Sequence, residues 1–146
     1  MMVACRPGHP KQDSKTWASL LACDWLVHPS QDASTVHEFL RKHGVDVERQ
    51  LIRTNTFAAT WSILTQTDTL FLCPVLMLGM PVYGELVRRV PVPVAMPRLT
   101  LGIIRLKDAP LSHVAEVLSM MFERELRDLK WSAPGKGKAP KASVGL

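Results

Sequence analysis

The sequence has no paired-cysteine motif. Its three cysteines, Cys5, Cys23 and Cys73, stand far apart and are odd in number, and no CxxC occurs. Free thiols in a reducing compartment are the simplest account. A bilayer-spanning run is also missing. The apolar stretch 70–82, LFLCPVLMLGMPV, falls short of the roughly 20 residues a spanning helix needs, and Pro74, Gly79 and Pro81 break it. The N-terminus MMVACRPGHPKQD offers no secretory core, because Arg6, Pro7 and Gly8 interrupt it. A soluble, cytoplasmic protein with no membrane partner is expected.

Chemical motifs are missing too. There is no HExxH, no Cys/His cluster with metal spacing, no G-x-S-x-G, no GxGxxG and no P-loop. His37 and His43 are six apart and do not share a helix face well. The histidines read as loop or surface residues. Cys73 precedes Pro74 in an apolar strand, which would raise its pKa and makes it core rather than nucleophile. No carboxylate pair stands out as acid and base. No catalytic residue, metal or cofactor is expected; the competing reading is a small α/β enzyme with unassigned catalytic residues.

The net charge of +5 suggests nucleic acid until its distribution is considered. From Lys130 onward there are four lysines and no acid, leaving 14 basic against 13 acidic residues in the body. The tail, 130–146, is Gly/Pro/Ala/Lys-rich and aperiodic, which predicts disorder. The body is close to neutral, and 47% hydrophobic residues in 146 suit one globular core.

Punctuation along the chain predicts alternating elements. Strands are expected at 1–5, 24–27, 47–53, 69–73 and 99–106, with a short extended piece at 86–90. A helical turn is expected at 16–22. A helix capped by Asp32 or Ser34 carries Val36, Phe39 and Leu40 on one face and stops at Gly44. Thr54, Asn55 and Thr56 offer caps for a helix over 57–66, whose apolar positions are Phe57, Ala58, Trp61 and Leu64. Pro74 suits the first turn of a short helix. The connector PVPVAMP (91–97) is non-helical. Ser112 caps a last helix with an apolar stripe of Val114, Val117, Leu118, Met121, Phe122 and Leu129. Such alternation indicates an α/β fold with a mostly parallel sheet.

Two strand ends lead into polar segments, HPSQ (28–31) and RTNTF (53–57). Ligands of α/β sheets bind outside the carboxyl ends of strands, and helix N-termini favour anions. These segments are either ordinary caps or a site for a small carboxylate or polyol.

The order of the segments MMVACRPGHP, DWLVHPS, VHEFLRKHGV, RTNTFAATWSILTQTDTLFLCPVLM, GELVRRVPV and LTLGIIRLKDAPLSHVAEVLSMMFEREL resembles the C-terminal part of the effector-binding domain of LysR-type transcriptional regulators. The resemblance implies a periplasmic-binding-protein-like fold of two lobes with a small effector between them and leaves the effector class open; an organic carboxylate is the partner expected from the strand ends. Residues 1–90 would be the second lobe, 91–98 a connector, and 99–129 a strand and helix returning to the first lobe. The winged helix-turn-helix and most of the first lobe would be absent, making the chain a fragment. DNA would be reached only through that absent N-terminal domain. Apolar surface would be exposed along 99–106 and the last helix. The intact protein would be a homo-oligomer without catalytic activity. Effector contacts carry over to Pro29 and Ser30, to Asn55, Thr56 and Phe57, and to Leu72 as a wall position. One departure concerns Thr67-Asp68-Thr69, where the family usually has a glycine.

Overall fold

A computed structural model describes residues 1–28, 33–98, 103–106 and 110–128, and only the backbone of 33, 34, 127 and 128. The described residues fall into two compact units, 1–98 and 103–128.

The first unit is built on five strands: β1 (Met2–Cys5), β2 (Trp25–Val27), β3 (Leu51–Arg53), β4 (Leu70–Cys73) and β5 (Arg88–Arg89). Their order across the sheet is β3-β2-β4-β1-β5. β2 pairs parallel with both β3 and β4, whereas β1 pairs antiparallel with β4 and β5. One strand, β1, therefore runs against the other four. The sheet is mostly parallel, and the fold is α/β as the alternation implied.

The strands are apolar on both sides, as a sheet covered on both faces requires. Val3, Cys5, Trp25, Val27, Leu70 and Leu72 point to one face, where they join Val36, Phe39 and Leu40 of α1 (Ala33–Lys42). Met2, Ala4, Leu26, Phe71 and Cys73 point to the other, against Trp61 and Leu64 of α2 (Phe57–Gln66). Successive side chains alternate faces, so each short strand feeds two cores. β1, β2 and β4 are buried along their whole length.

The helix ends follow the chemistry of their residues. After α1, Gly44 adopts φ +86°; its N–H donates to Arg41 O at 3.1 Å, and that of Val45 donates to Leu40 O at 3.0 Å. This is the paired closure of a Schellman motif, with buried Leu40 against buried Val45. Of the three candidates for α2, Thr56 is the cap: its side chain accepts from Ala59 N at 3.1 Å. Ser112 caps α3 (His113–Asp128), accepting from Ala115 N at 3.3 Å. The candidate caps of α1, Asp32 and Ser34, lie outside the described residues and side chains.

Four expectations are corrected. The strand expected over 47–53 is only Leu51–Arg53, because 46–50 closes into a turn. Gln50 N donates to Asp46 O at 2.8 Å, Asp46 N to the Gln50 side chain at 2.9 Å, and Gln50 Nε2 to Leu21 O and Cys23 O. These bonds take the backbone groups a longer strand would have used. Pro74 caps a 3-10 turn (Val75–Gly79) from outside rather than filling its first position; its ψ of 138° is extended. The strand expected over 99–106 is not seen in its described part: 103–106 has no regular structure, and Ile104 is 99% exposed. A strand needs a neighbour for its backbone groups, and none pairs with 103–106 among the described residues. His9 lies in a loop, as one of its two readings had it, but is buried there rather than at the surface.

In the second unit, Val114, Val117, Leu118, Met121 and Phe122 of α3 are all exposed. Among the described residues no helix is long and apolar enough to cross a membrane.

Candidate functional site

β2 and β3 end side by side, with Val27 opposite Arg53. The chain then turns into α2 within three residues. Thr54 holds this turn: its N–H donates to Val27 O at 3.1 Å, and its hydroxyl lies 2.6 Å from that of Thr60. Thr60 sits one turn inside α2 and donates to Thr56 O at 3.0 Å. Both threonines are buried, so the N-terminus of α2 is fixed to the end of β2 by hydrogen bonds shielded from water.

Beyond this anchor the residues open to solvent. Asn55, Thr56 and Ala58 are exposed, and Phe57 is 43% exposed. In the first turn of α2, Ala59 N is taken by the Thr56 hydroxyl. The N–H groups of Phe57 and Ala58 have no acceptor among the described residues. Unpaired first-turn amides and the partial positive charge of the helix end suit an anion.

An aromatic cluster stands beside these amides. Phe57 meets Tyr83 edge-on at 5.4 Å and 88°, and Trp61 at 5.6 Å and 67°. Tyr83 stacks on Trp61 at 4.6 Å and 26°. The ring of His28, just past β2, lies 6.3 Å from Phe57. Sequence reasoning missed Tyr83, whereas His28 falls in the candidate segment 28–31 but reads there as a loop residue. The one tyrosine of the chain is followed by glycine, and Gly84 is required there, because a Cβ would meet Leu78 O at 2.3 Å. That turn signal in YG was available; the contact with α2 was not.

The expected site residues divide accordingly. Asn55, Thr56 and Phe57 come together at the start of α2. Pro29 and Ser30 lie outside the described residues. Leu72 is 1% exposed and packs among the side chains that face α1, on the opposite side of the sheet from Trp61. Its side chain is core.

The thiols carry no nucleophile chemistry of note. Burial pushes Cys73 up to about 12 and Cys5 up to about 11; burial also raises Cys23. A thiol so placed stays protonated at neutral pH. Among the described residues no group of three His, Cys, Asp or Glu side chains could hold a metal ion.

The departure at Thr67-Asp68-Thr69 has a structural use. Arg6 donates to Asp68 Oδ1 from Nε at 3.0 Å and from Nη2 at 2.6 Å. His9 Nδ1 accepts from Lys11 N at 2.8 Å, so its Nε2 carries the proton and donates to Asp68 O at 3.1 Å. The turn after β1 is thereby tied to the loop before β4.

Comparison with curated proteins finds no significant match. The family model described as the LysR substrate binding domain matches residues 1–127. The match spans both units of the fold and the candidate site, and the chain belongs to the LysR substrate-binding-domain family, an effector-binding region of LysR-type transcriptional regulators.

Proposed function

We propose that the effector binds at the ends of β2 and β3, against the start of α2, and that Asn55, Thr56 and Phe57 contact it. The observation that carries this reading is the pair of N–H groups, of Phe57 and Ala58, that have no acceptor among the described residues, beside the half-exposed Phe57 ring. Donors suit a carboxylate and the ring suits an apolar body, so the effector is an organic carboxylate. Binding shifts an equilibrium between lobe arrangements and re-spaces winged helix-turn-helix heads that lie outside this sequence. DNA is touched by those heads, not by this region. The exposed apolar stripe of α3 supports a first lobe, or a second copy in a homo-oligomer, covering it. The regulator works in the cytoplasm and without catalysis.

The test is calorimetric titration of the chain with a panel of small organic carboxylates. At least one should bind, and Thr56→Ala and Phe57→Ala should each weaken it. Unchanged affinity in both variants would remove α2 from the site.

A further inference from the structure

We propose that Tyr83 sets the ligand class of this site: it holds the Phe57 ring edge-on, so that aromatic carboxylates are selected over saturated ones. The inference rests on the reading of the α2 N-terminus as the effector site, and deepens it.

Three rings form a series from core to surface. Trp61 is 6% exposed and belongs to the core beneath α2. Tyr83 stacks on it, and the edge contact from Tyr83 reaches Phe57. A lone phenylalanine at a helix start can exchange rotamers. Here Trp61 from within the helix and Tyr83 from outside it restrict Phe57 to one orientation. The part of the ring left exposed is then presented at a fixed angle beside the two free amides.

Tyr83 is in turn fixed by its backbone. Tyr83 N and Gly84 N both donate to Met80 O, at 3.1 and 2.8 Å. The absence of a Cβ at Gly84 lets the turn lie against Leu78 O. Tyr83 thus acts through Phe57 as a positioning residue.

Aromatic pairs in offset or edge-to-face geometry gain about 0.5–1.5 kcal/mol beyond their buried area, which corresponds to a preference of about twofold to tenfold. A saturated ring of similar size forgoes that gain. Clustered rings can also attract cations, but the N-terminal end of α2 repels a cation and favours an anion. The chemistry therefore points to one flat ring carrying a carboxylate.

The experiment uses the full 146-residue chain and two probes of equal charge, benzoate and cyclohexanecarboxylate. Calorimetry gives the affinities, and backbone amide NMR gives the location. Both probes should move the amides of residues 55–58, with benzoate bound about twofold to tenfold more tightly. Tyr83→Phe should keep that ratio, because the ring remains. Tyr83→Leu should bring it toward parity, and so should Tyr83→Val if the leucine variant does not fold; Phe57→Leu should do the same, because it removes the ring that Tyr83 positions. A loss of stability alone would weaken both probes together and leave the ratio in place. Equal affinity in the parent chain, or a ratio unchanged when the Tyr83 ring is removed, overturns the role of Tyr83 while leaving the effector site standing. Failure of both probes to move residues 55–58 overturns the site reading and this inference with it.

Discussion

The hydroxyls of Thr54 and Thr60 lie 2.6 Å apart in a contact closed to solvent. Because Thr60 donates to Thr56 O, its oxygen accepts from Thr54. The end of β3 and the first turn of α2 thus share one short chain of hydrogen bonds. Phe57 and Ala58 lie between its two threonines, so the geometry of the free amides depends on it.

The first prediction concerns this pair. Thr60→Val leaves the Thr54 hydroxyl buried without its short partner and should cost about 1–3 kcal/mol. Thr54→Val should cost about 1 kcal/mol. The double variant should cost less than the two together, by about 1 kcal/mol. Denaturant unfolding of all four proteins checks it; strict additivity would mean the hydroxyls do not interact.

A second prediction separates two contacts to Asp68. The Arg6–Asp68 pair is partly exposed, with side chains 28% and 55% accessible, and such pairs contribute at most about 1 kcal/mol. His9 is 3% exposed and serves two backbone groups. His9→Ala should therefore destabilise the chain by about 2–3 kcal/mol, clearly more than Asp68→Ala. Midpoints of thermal unfolding should rank them in that order.

The thiols give a pH dependence with a definite sign. Cys73 and Cys5 are raised by burial from 9.0 to about 12 and about 11. In the unfolded chain these thiols ionise near pH 9, while in the folded chain they stay protonated. Their contribution is whole below pH 9 and is lost as pH rises from there toward 11 and 12. Stability should fall steadily above pH 9, and Cys73→Ala should flatten that fall, read from unfolding midpoints at a series of alkaline pH values. The half-buried Cys23 should react with iodoacetamide before the two buried cysteines.

The two site variants should differ in how they divide stability from binding. Thr56→Ala removes the cap on Ala59 N and should cost about 1 kcal/mol of stability along with ligand affinity. Phe57→Ala removes a ring that is 43% exposed, so its cost should fall mainly on ligand affinity. Unfolding curves and titrations of the same samples compare the two.

Local chemistry made much of the fold legible. Gly44 after a basic last turn marked the end of α1, Thr56 before Phe57 the start of α2, and Ser112 the start of α3, each because one residue satisfies a specific backbone group. Strand lengths were less legible. Val47, Arg49 and Leu51 alternate like a strand, yet Asp46 and Gln50 close a turn whose bonds reach back to Leu21 and Cys23, and no pattern in sequence announces that partner. Phe57 was legible as a candidate contact through its place at a helix start. Tyr83 was not, because its partner Trp61 is 22 positions away and the contact exists only once the sheet has brought the segment after β4 beside α2. Leu72 could not be assigned to a face without the register of β4, which turns it toward α1.

Binding at the start of α2 is tested most directly by following every backbone amide while a small organic carboxylate such as benzoate is added to the chain. Saturable shifts should be largest at residues 55–58 and extend to Tyr83. Saturable shifts that map elsewhere, with residues 55–58 unmoved, would contradict binding there.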